Sequence, residues 1–179
     1  MMQRKIESWL YPTSRGLYCE PGGFFVDPPL PVDRAVVTHG HSDHARRGHG
    51  AVLATPETVE IMRVRYGADA ARRFEPSRYG ETRDVGGVAV RLVPAGHILG
   101  SAQVVLDWNG QRAVISGDYK RSPDPTAQPF ELVEADVFVT EATFALPVFR
   151  HEPAEREARR LVANRRLQDS RWQLLQARQ

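Results

Sequence analysis

Thr38-His39-Gly40-His41-Ser42-Asp43-His44 carries four potential metal ligands within six residues. A neutral imidazole is the commonest protein ligand for zinc, and a carboxylate suits it too. His39 and His41 lie two apart, so a looped backbone can aim both the same way. Asp43 and His44 follow where the chain can turn toward a helix. One ion can be held by the first pair and a second by the later pair. The preceding apolar run, Ala35-Val36-Val37, reads as a buried strand that ends in the ligand-bearing loop.

The neighbouring segments read as α/β. Upstream, Gly16–Cys19 and Gly23–Asp27 read as two strands joined by Glu20-Pro21-Gly22, with a stiff Pro28-Pro29-Leu30-Pro31 connector after Asp27. Downstream, Ala45–Gly50 reads as a flexible link in which His49 is a loop residue near the site. Ala51–Ala54 is a short buried strand. Thr55-Pro56 opens a helix, with Thr as N-cap and Pro at the first helical position. Val59, Met62 and Tyr66 follow at helical spacing, and Gly67 ends the helix.

Two further strands end on candidate ligands. Val85 to Val93 alternates into Pro94-Ala95-Gly96-His97-Ile98-Leu99-Gly100-Ser101, where small neighbours let the backbone approach whatever His97 holds. Asn109-Gly110 between alternating runs is a type I′ hairpin signal. Its second strand delivers Asp118, a carboxylate able to bridge two cations, and Lys120-Arg121 follow at the mouth of the site. Asp136–Thr143 reads as another buried strand, ending on Glu141. Pro153 to Arg178 reads as one or more helices.

At 179 residues, with 41% hydrophobic and 26% charged residues, the chain fits one domain with a sizeable core. No run is long and apolar enough to span a membrane. The N-terminus has no apolar segment after its basic residues, and Cys19 is the only cysteine, expected half-buried in a strand. These features set the expectation of a cytoplasmic protein. Residues 1–149 hold 16 basic and 18 acidic side chains, whereas residues 150–179 hold eight arginines and four acids. That basic tail fits either a phosphate partner or a solvated helix face.

His-x-His-x-Asp-His over residues 39–44 resembles the signature of the metallo-β-lactamase superfamily. Val139-Thr140-Glu141-Ala142-Thr143 is similar to a motif of its β-CASP branch, whose members cut nucleic acids. Gly16–Cys19, Val32–His39, Gly96–Ser101 and Ser116–Lys120 resemble the bacterial ligase-associated DNA exonucleases, kin of the mRNA 3′-end processing nucleases. The resemblance covers roughly residues 8 to 160.

It implies an αββα sandwich, here its N-terminal part over residues 1–149. Residues 150–179 would start a truncated β-CASP region or form a divergent helical tail. One metal would be held by His39, His41, His97 and Asp118, the other by Asp43, His44 and Asp118. Asp27 and Glu141 would support the ligands from behind, and Asp43, Asp118 and Glu141 would be catalytic. Lys120 and Arg121 would meet nucleic-acid phosphates. The implied activity is phosphodiester hydrolysis by a metal-activated hydroxide, most naturally as a DNA exonuclease in repair. One or two zinc ions are implied, with manganese as a variant, and a DNA ligase or helicase as partner.

The family extends well beyond this length, and its last ligand histidine has no counterpart here, since His151 comes too early. Two alternatives therefore stand beside the nuclease: a thioester or lactam hydrolase on the same site, and an inactive truncated metal-binding fragment.

Overall fold

The computed structural model describes residues 5–142, together with Arg156 and Arg159. After a 3-10 turn at Ile6–Ser8 come strands β1 (Leu10–Thr13), β2 (Gly16–Cys19), β3 (Phe24–Val26), β4 (Arg34–Val36) and β5 (His49–Ala54). Helix α1 (Pro56–Tyr66) and β6 (Ala71–Pro76) follow, then β7 (Thr82–Val85), β8 (Val88–Pro94), β9 (Ala102–Trp108), β10 (Gln111–Ile115) and β11 (Val137–Val139). The first six strands form one sheet in chain order, antiparallel from β1 to β3 and parallel from β3 to β6. The second sheet runs β11-β10-β9-β8-β7, antiparallel except where β11 lies parallel to β10.

Strand alternation divides the apolar residues between layers. Val36 and Leu53 from the first sheet meet Val90, Leu92, Val104 and Leu106 from the second, in a core that also takes in Trp9 and Phe24. The opposite face of β4 and β5, carrying Ala35, Val52 and Ala54, packs under Val59 and Met62 of α1. Strands covered on both faces need continuous apolar runs, and Ala35-Val36-Val37 and Ala51–Ala54 supply them. Each fully buried Val or Leu contributes roughly 1.5–3 kcal/mol, so these strands hold their loops on a rigid base. On the far face of the second sheet, Val93, Val105 and Val114 are covered by Val133, from the irregular stretch after β10. The expected sandwich is present, with one of its outer layers built by α1 and the other, among the described residues, by a loop.

The helix begins as its sequence dictates. Thr55 Oγ1 accepts the Thr58 amide at 3.2 Å, and Pro56 occupies the first turn. Asn109 (φ 52°) and Gly110 (φ 75°) both take the positive φ that a type I′ hairpin requires.

Several expectations need correction. Val85 to Val93 is two strands, because Gly86 and Gly87 take φ of 63° and 85° and turn β7 back onto β8. His49 is not a loop residue: it opens β5, is fully buried, and its Nδ1 accepts the Val32 amide at 3.3 Å. Burial holds its imidazole below the ordinary pKa, so it stays neutral in a structural role. The strand expected over Asp136–Thr143 is shorter, Val137–Val139, and only partly buried, with Phe138 44% exposed, because β11 is a sheet edge among the described residues. Thr143 and the helices expected over Pro153 to Arg178 lie outside the described residues, save Arg156 and Arg159, both helical and exposed. By contacts, the first unit of the chain is Met1–Glu141 and the second Ala142–Gln179.

Cys19 is fully rather than half-buried, and burial pushes its thiol up to about 11. A thiol so placed stays protonated and unreactive at neutral pH. An aromatic disulfide reagent is expected to leave Cys19 unmodified in the native protein and to modify one thiol per chain in denaturant, read from the released chromophore. Fast native labelling would contradict this burial.

Candidate metal centre

Four loops meet at one end of the sandwich: those after β3, β4, β8 and β10. The loop after β4 is fixed by Asp27, the residue that follows β3. Its Oδ1 accepts the Thr38 amide at 2.8 Å, and its Oδ2 accepts the Thr38 hydroxyl at 2.6 Å and His44 Nδ1–H at 2.8 Å. Asp27 adopts φ 43°, a left-handed conformation costing about 1 kcal/mol for a non-glycine residue. Hydrogen bonds to a charged group contribute roughly 1.5–3 kcal/mol each, so three of them outweigh that strain.

These bonds settle proton positions. The Thr38 hydroxyl gives its proton to Asp27, so its contact with His39 Nδ1 at 3.0 Å must be donated by the ring. His39 therefore carries its proton on Nδ1 and turns a bare Nε2 toward the site. His44, donating Nδ1–H to Asp27, does the same. A carboxylate or hydroxyl behind the ring is how metal-binding histidines are held in one tautomer.

Two glycines let the loops converge. A Cβ on Gly96 (φ 73°) would run into the Lys120 carbonyl, and one on Gly117 (φ 55°) would lie 2.7 Å from Thr38 Oγ1. The sequence associated Gly96 with approach to a ligand; the structure shows approach to backbone, which places His97 beside Asp118. Ser101 Oγ accepts the His97 and Ile98 amides at 3.0 and 3.2 Å and shapes this loop.

The result is a four-residue group, His39, His41, His97 and Asp118, whose donor atoms all lie within 4.8 Å of one another. His41 Nδ1 is 2.9 Å from His39 Nε2 and 3.2 Å from His97 Nε2. Asp118 Oδ2 is 3.8 Å from His39 Nε2 and 3.6 Å from His97 Nε2. Tetrahedral bonds of about 2.0–2.2 Å set ligand atoms about 3.3–3.6 Å apart, and these distances bracket that spacing. The other oxygen, Asp118 Oδ1, is 3.4 Å from His44 Nε2, which is 3.6 Å from Asp43 Oδ2. The donor set therefore fits a divalent cation in the first group. Asp118 turns its second oxygen to a smaller group of Asp43 and His44.

The electrostatics agree. Burial, then the neighbouring rings of His44, His41 and His97, push His39 down to about 2, so its imidazole is neutral at any working pH. Burial also lowers His97, opposed by the charge of Asp118. At His44 burial acts downward too, but the hydrogen bond and charge of Asp27, with Asp118 and Asp43, raise it on balance. Three ring nitrogens converge within 2.9–3.2 Å, close enough for one cation to take them all as ligands.

The remaining expected residues are placed as follows. The charge of Glu141 acts on His97, and its amide donates to Ser116 Oγ at 3.4 Å. Lys120 Nζ is held by Asp124 at 2.9 Å, which leaves exposed Arg121 as the freer cation of the pair. Sequence reasoning missed Arg65, on α1, whose Nη1 donates to the Gly40 carbonyl at 2.5 Å between two ligands. Nothing in the spacing of one more arginine in an arginine-rich chain could have marked it.

The metallo-beta-lactamase superfamily model matches residues 25–170 of this chain. The chain belongs to this superfamily. It is 33% identical over 147 residues to a probable DNA ligase of Opitutus terrae, covering 81% of this chain and 14% of the relative. It is 31% identical over 153 residues to Ribonuclease TTHA0252 of Thermus thermophilus, covering 69% of this chain and 34% of that protein. It is 32% identical over 197 residues to Endoribonuclease YSH1 of Saccharomyces cerevisiae, covering 88% and 25%. The chain thus spans between about a seventh and a third of these relatives' lengths. Their company agrees with the β-CASP branch read from Glu141 and its neighbours. Among the described residues, no helix is long and apolar enough to cross a membrane.

Proposed function

We propose that this superfamily member hydrolyses phosphodiester bonds of nucleic acid, DNA in preference to RNA, as an exonuclease in DNA repair. The observation that carries it is the placement of Asp118. One carboxylate oxygen faces His39 and His97, and the other faces His44, whose Nε2 is also 3.6 Å from Asp43. A carboxylate shared in this way suits a pair of cations about 3.5–4 Å apart, the arrangement used for in-line displacement at phosphorus. The nuclease names among the relatives support the reaction class, and the DNA ligase among them is the ground for preferring DNA. The nitrogen-rich donor set favours zinc over manganese. The single buried cysteine fits a reducing cytoplasm.

Divalent ions, when bound, acidify water and neutralise charge gathering on the phosphodiester. The chain's own residues supply the rest. Asp27 holds His44 directly and His39 through Thr38. Asp43, 71% exposed and 3.6 Å from His44 Nε2, would orient the attacking water or accept its proton. Glu141, whose charge reaches His97, steadies that ring. Arg121 and, on release from Asp124, Lys120 meet the substrate backbone.

The test is metal content of the purified chain together with cleavage of 5′- and 3′-labelled DNA and RNA, with His39→Ala as control. Near-stoichiometric zinc and labelled DNA products, both lost in the variant, are expected. RNA products alone would move the assignment to a ribonuclease. Bound metal without cleavage of either polymer would sink the nuclease reading, and turnover of a small thioester or lactam would replace it.

A further inference from the structure

A groove of about 500 Å³ runs beside the metal centre, between α1 and the loop that carries His97. Its floor and walls are apolar: Pro56, Ile61, Val64 and Leu99. Val64 is 88% exposed and Leu99 52% exposed, unusual for branched aliphatic side chains this close to a polar site. Its volume falls in the range of small-molecule sites.

The groove is continuous with the ligand loops. Ile61 lies directly beneath Gly40, where an added Cβ would come within 2.7 Å of its Cγ2, and Gly40 separates His39 from His41. Leu99 is two residues beyond His97. Arg65 lines the groove and is fixed to the Gly40 carbonyl by one N–H, and a guanidinium has five N–H donors in all. Glu57 and Glu60 line it from the N-terminal part of the same helix, Glu60 already paired with Arg63 at 2.6 Å. The charge is thus divided along α1: Arg65 at the turn that meets the Gly40 carbonyl, and the carboxylates nearer the helix N-terminus, Glu57 beside Gly100.

We infer that this groove receives the nucleobase of the nucleotide flanking the phosphodiester held at the metal centre, with Arg65 contacting a backbone phosphate between the two. The inference rests on the nuclease reading and names a subsite for it. Among the described residues the lining holds no aromatic ring, so the apolar floor meets a base by aliphatic contact with its face, which every base presents. Arg65 suits phosphate through its forked donors. The carboxylates of Glu57 and Glu60 repel a phosphate and accept from exocyclic amino groups, so a strand is oriented with its backbone toward Arg65 and its base toward the N-terminal half of α1.

The experiment uses the whole zinc-loaded chain and a single-stranded oligodeoxynucleotide with 4-thiothymidine near its end. After irradiation, adducts are mapped by peptide mass spectrometry. Adducts on peptides holding Val64 or Leu99 are expected; adducts only elsewhere, or none, overturn the inference. Leu99→Ser and Val64→Ser replace exposed side chains. Each is expected to remove the adduct and to lower the preference for oligonucleotide over bis(p-nitrophenyl) phosphate, an ester without bases, about tenfold. An equal loss on both esters, or an unchanged preference, also overturns it. If wild-type protein hydrolyses neither ester, the nuclease reading fails by itself, and the adduct map still decides whether the groove takes a base.

Discussion

Asp118→Ala is expected to lose at least about a thousandfold in turnover of labelled DNA and to hold no more than one weakly bound ion per chain. Both consequences follow from one side chain having two faces. Oδ2 completes the group of His39, His41 and His97, and Oδ1 reaches His44 Nε2 at 3.4 Å, alongside the packing of the His39 and His44 rings. Truncation leaves the first group with three nitrogens and the second with Asp43 and His44 alone. Charge stabilisation by metal ions amounts to several kcal/mol, and each 1.36 kcal/mol is tenfold in rate, hence the thousandfold estimate. A thermal readout separates lost ligation from lost folding. A ligand that binds only the native state stabilises by about 4 kcal/mol when present at a thousand times its dissociation constant. Zinc is therefore expected to raise the unfolding midpoint of wild type by several degrees and to leave that of Asp118→Ala nearly unmoved. In chelator, where the carboxylate serves no ion, the two midpoints should lie close together. A variant that binds two ions as tightly as wild type would show that the bridging position of Asp118 is wrong.

Much of this site was legible because its chemistry is written locally. Three imidazoles and a carboxylate in six residues leave few other meanings, and Asn109-Gly110 and Thr55-Pro56 work through φ preferences that need no tertiary context. The edges were not legible. β6, Ala71-Arg72-Arg73-Phe74-Glu75-Pro76, has no alternating apolar pattern because, among the described residues, it is an edge strand paired with β5 alone. β1 contains Pro12, which a sheet tolerates only at an edge, and among the described residues β1 is one. At β11 the opposite error arose: the apolar run Val137-Phe138-Val139 looks central, yet it closes a sheet edge with Phe138 half-exposed. His49 shows the limit for single residues. A histidine five positions beyond the last ligand can serve metal or core equally well, and only the register of β5, with Gly50–Ala54 continuing the strand, turns it inward. The role of Arg65 depends on a tertiary contact 25 residues back along the chain, so no local pattern could encode it.

The second large effect concerns a residue that belongs to neither ligand group. Asp27→Asn is expected to weaken metal binding by 10- to 100-fold while leaving the fold intact. Asparagine tolerates the left-handed φ of 43° that Asp27 adopts, so the backbone can stay as it is. What changes is the pattern of donors and acceptors. The side-chain oxygen can still accept the Thr38 amide, as Oδ1 does now. The amide nitrogen then replaces Oδ2, which at present accepts both the Thr38 hydroxyl and His44 Nδ1–H. A donor in that place meets two donors. The Thr38 hydroxyl must turn away, which leaves it free to donate to His39 Nδ1, and His44 must accept at Nδ1. Each ring then carries its proton on Nε2, the nitrogen that faces Asp118, and neither can ligate without losing that proton or rotating. Supporting groups of this kind ordinarily account for 10- to 100-fold in metal affinity, and here one side chain governs two histidines, so the upper end of that range is expected. Competition with a fluorescent zinc chelator measures the affinity, and circular dichroism checks the fold. Proton-detected NMR of the two rings reads the cause directly. In metal-free wild type the imidazole protons of His39 and His44 sit on Nδ1, and in Asp27→Asn they move to Nε2. Unchanged tautomers with weakened binding would mean that Asp27 acts through charge alone. Unchanged affinity would mean that the ligand loop is held by Gly117 and the β4 strand, and that Asp27 merely closes a turn.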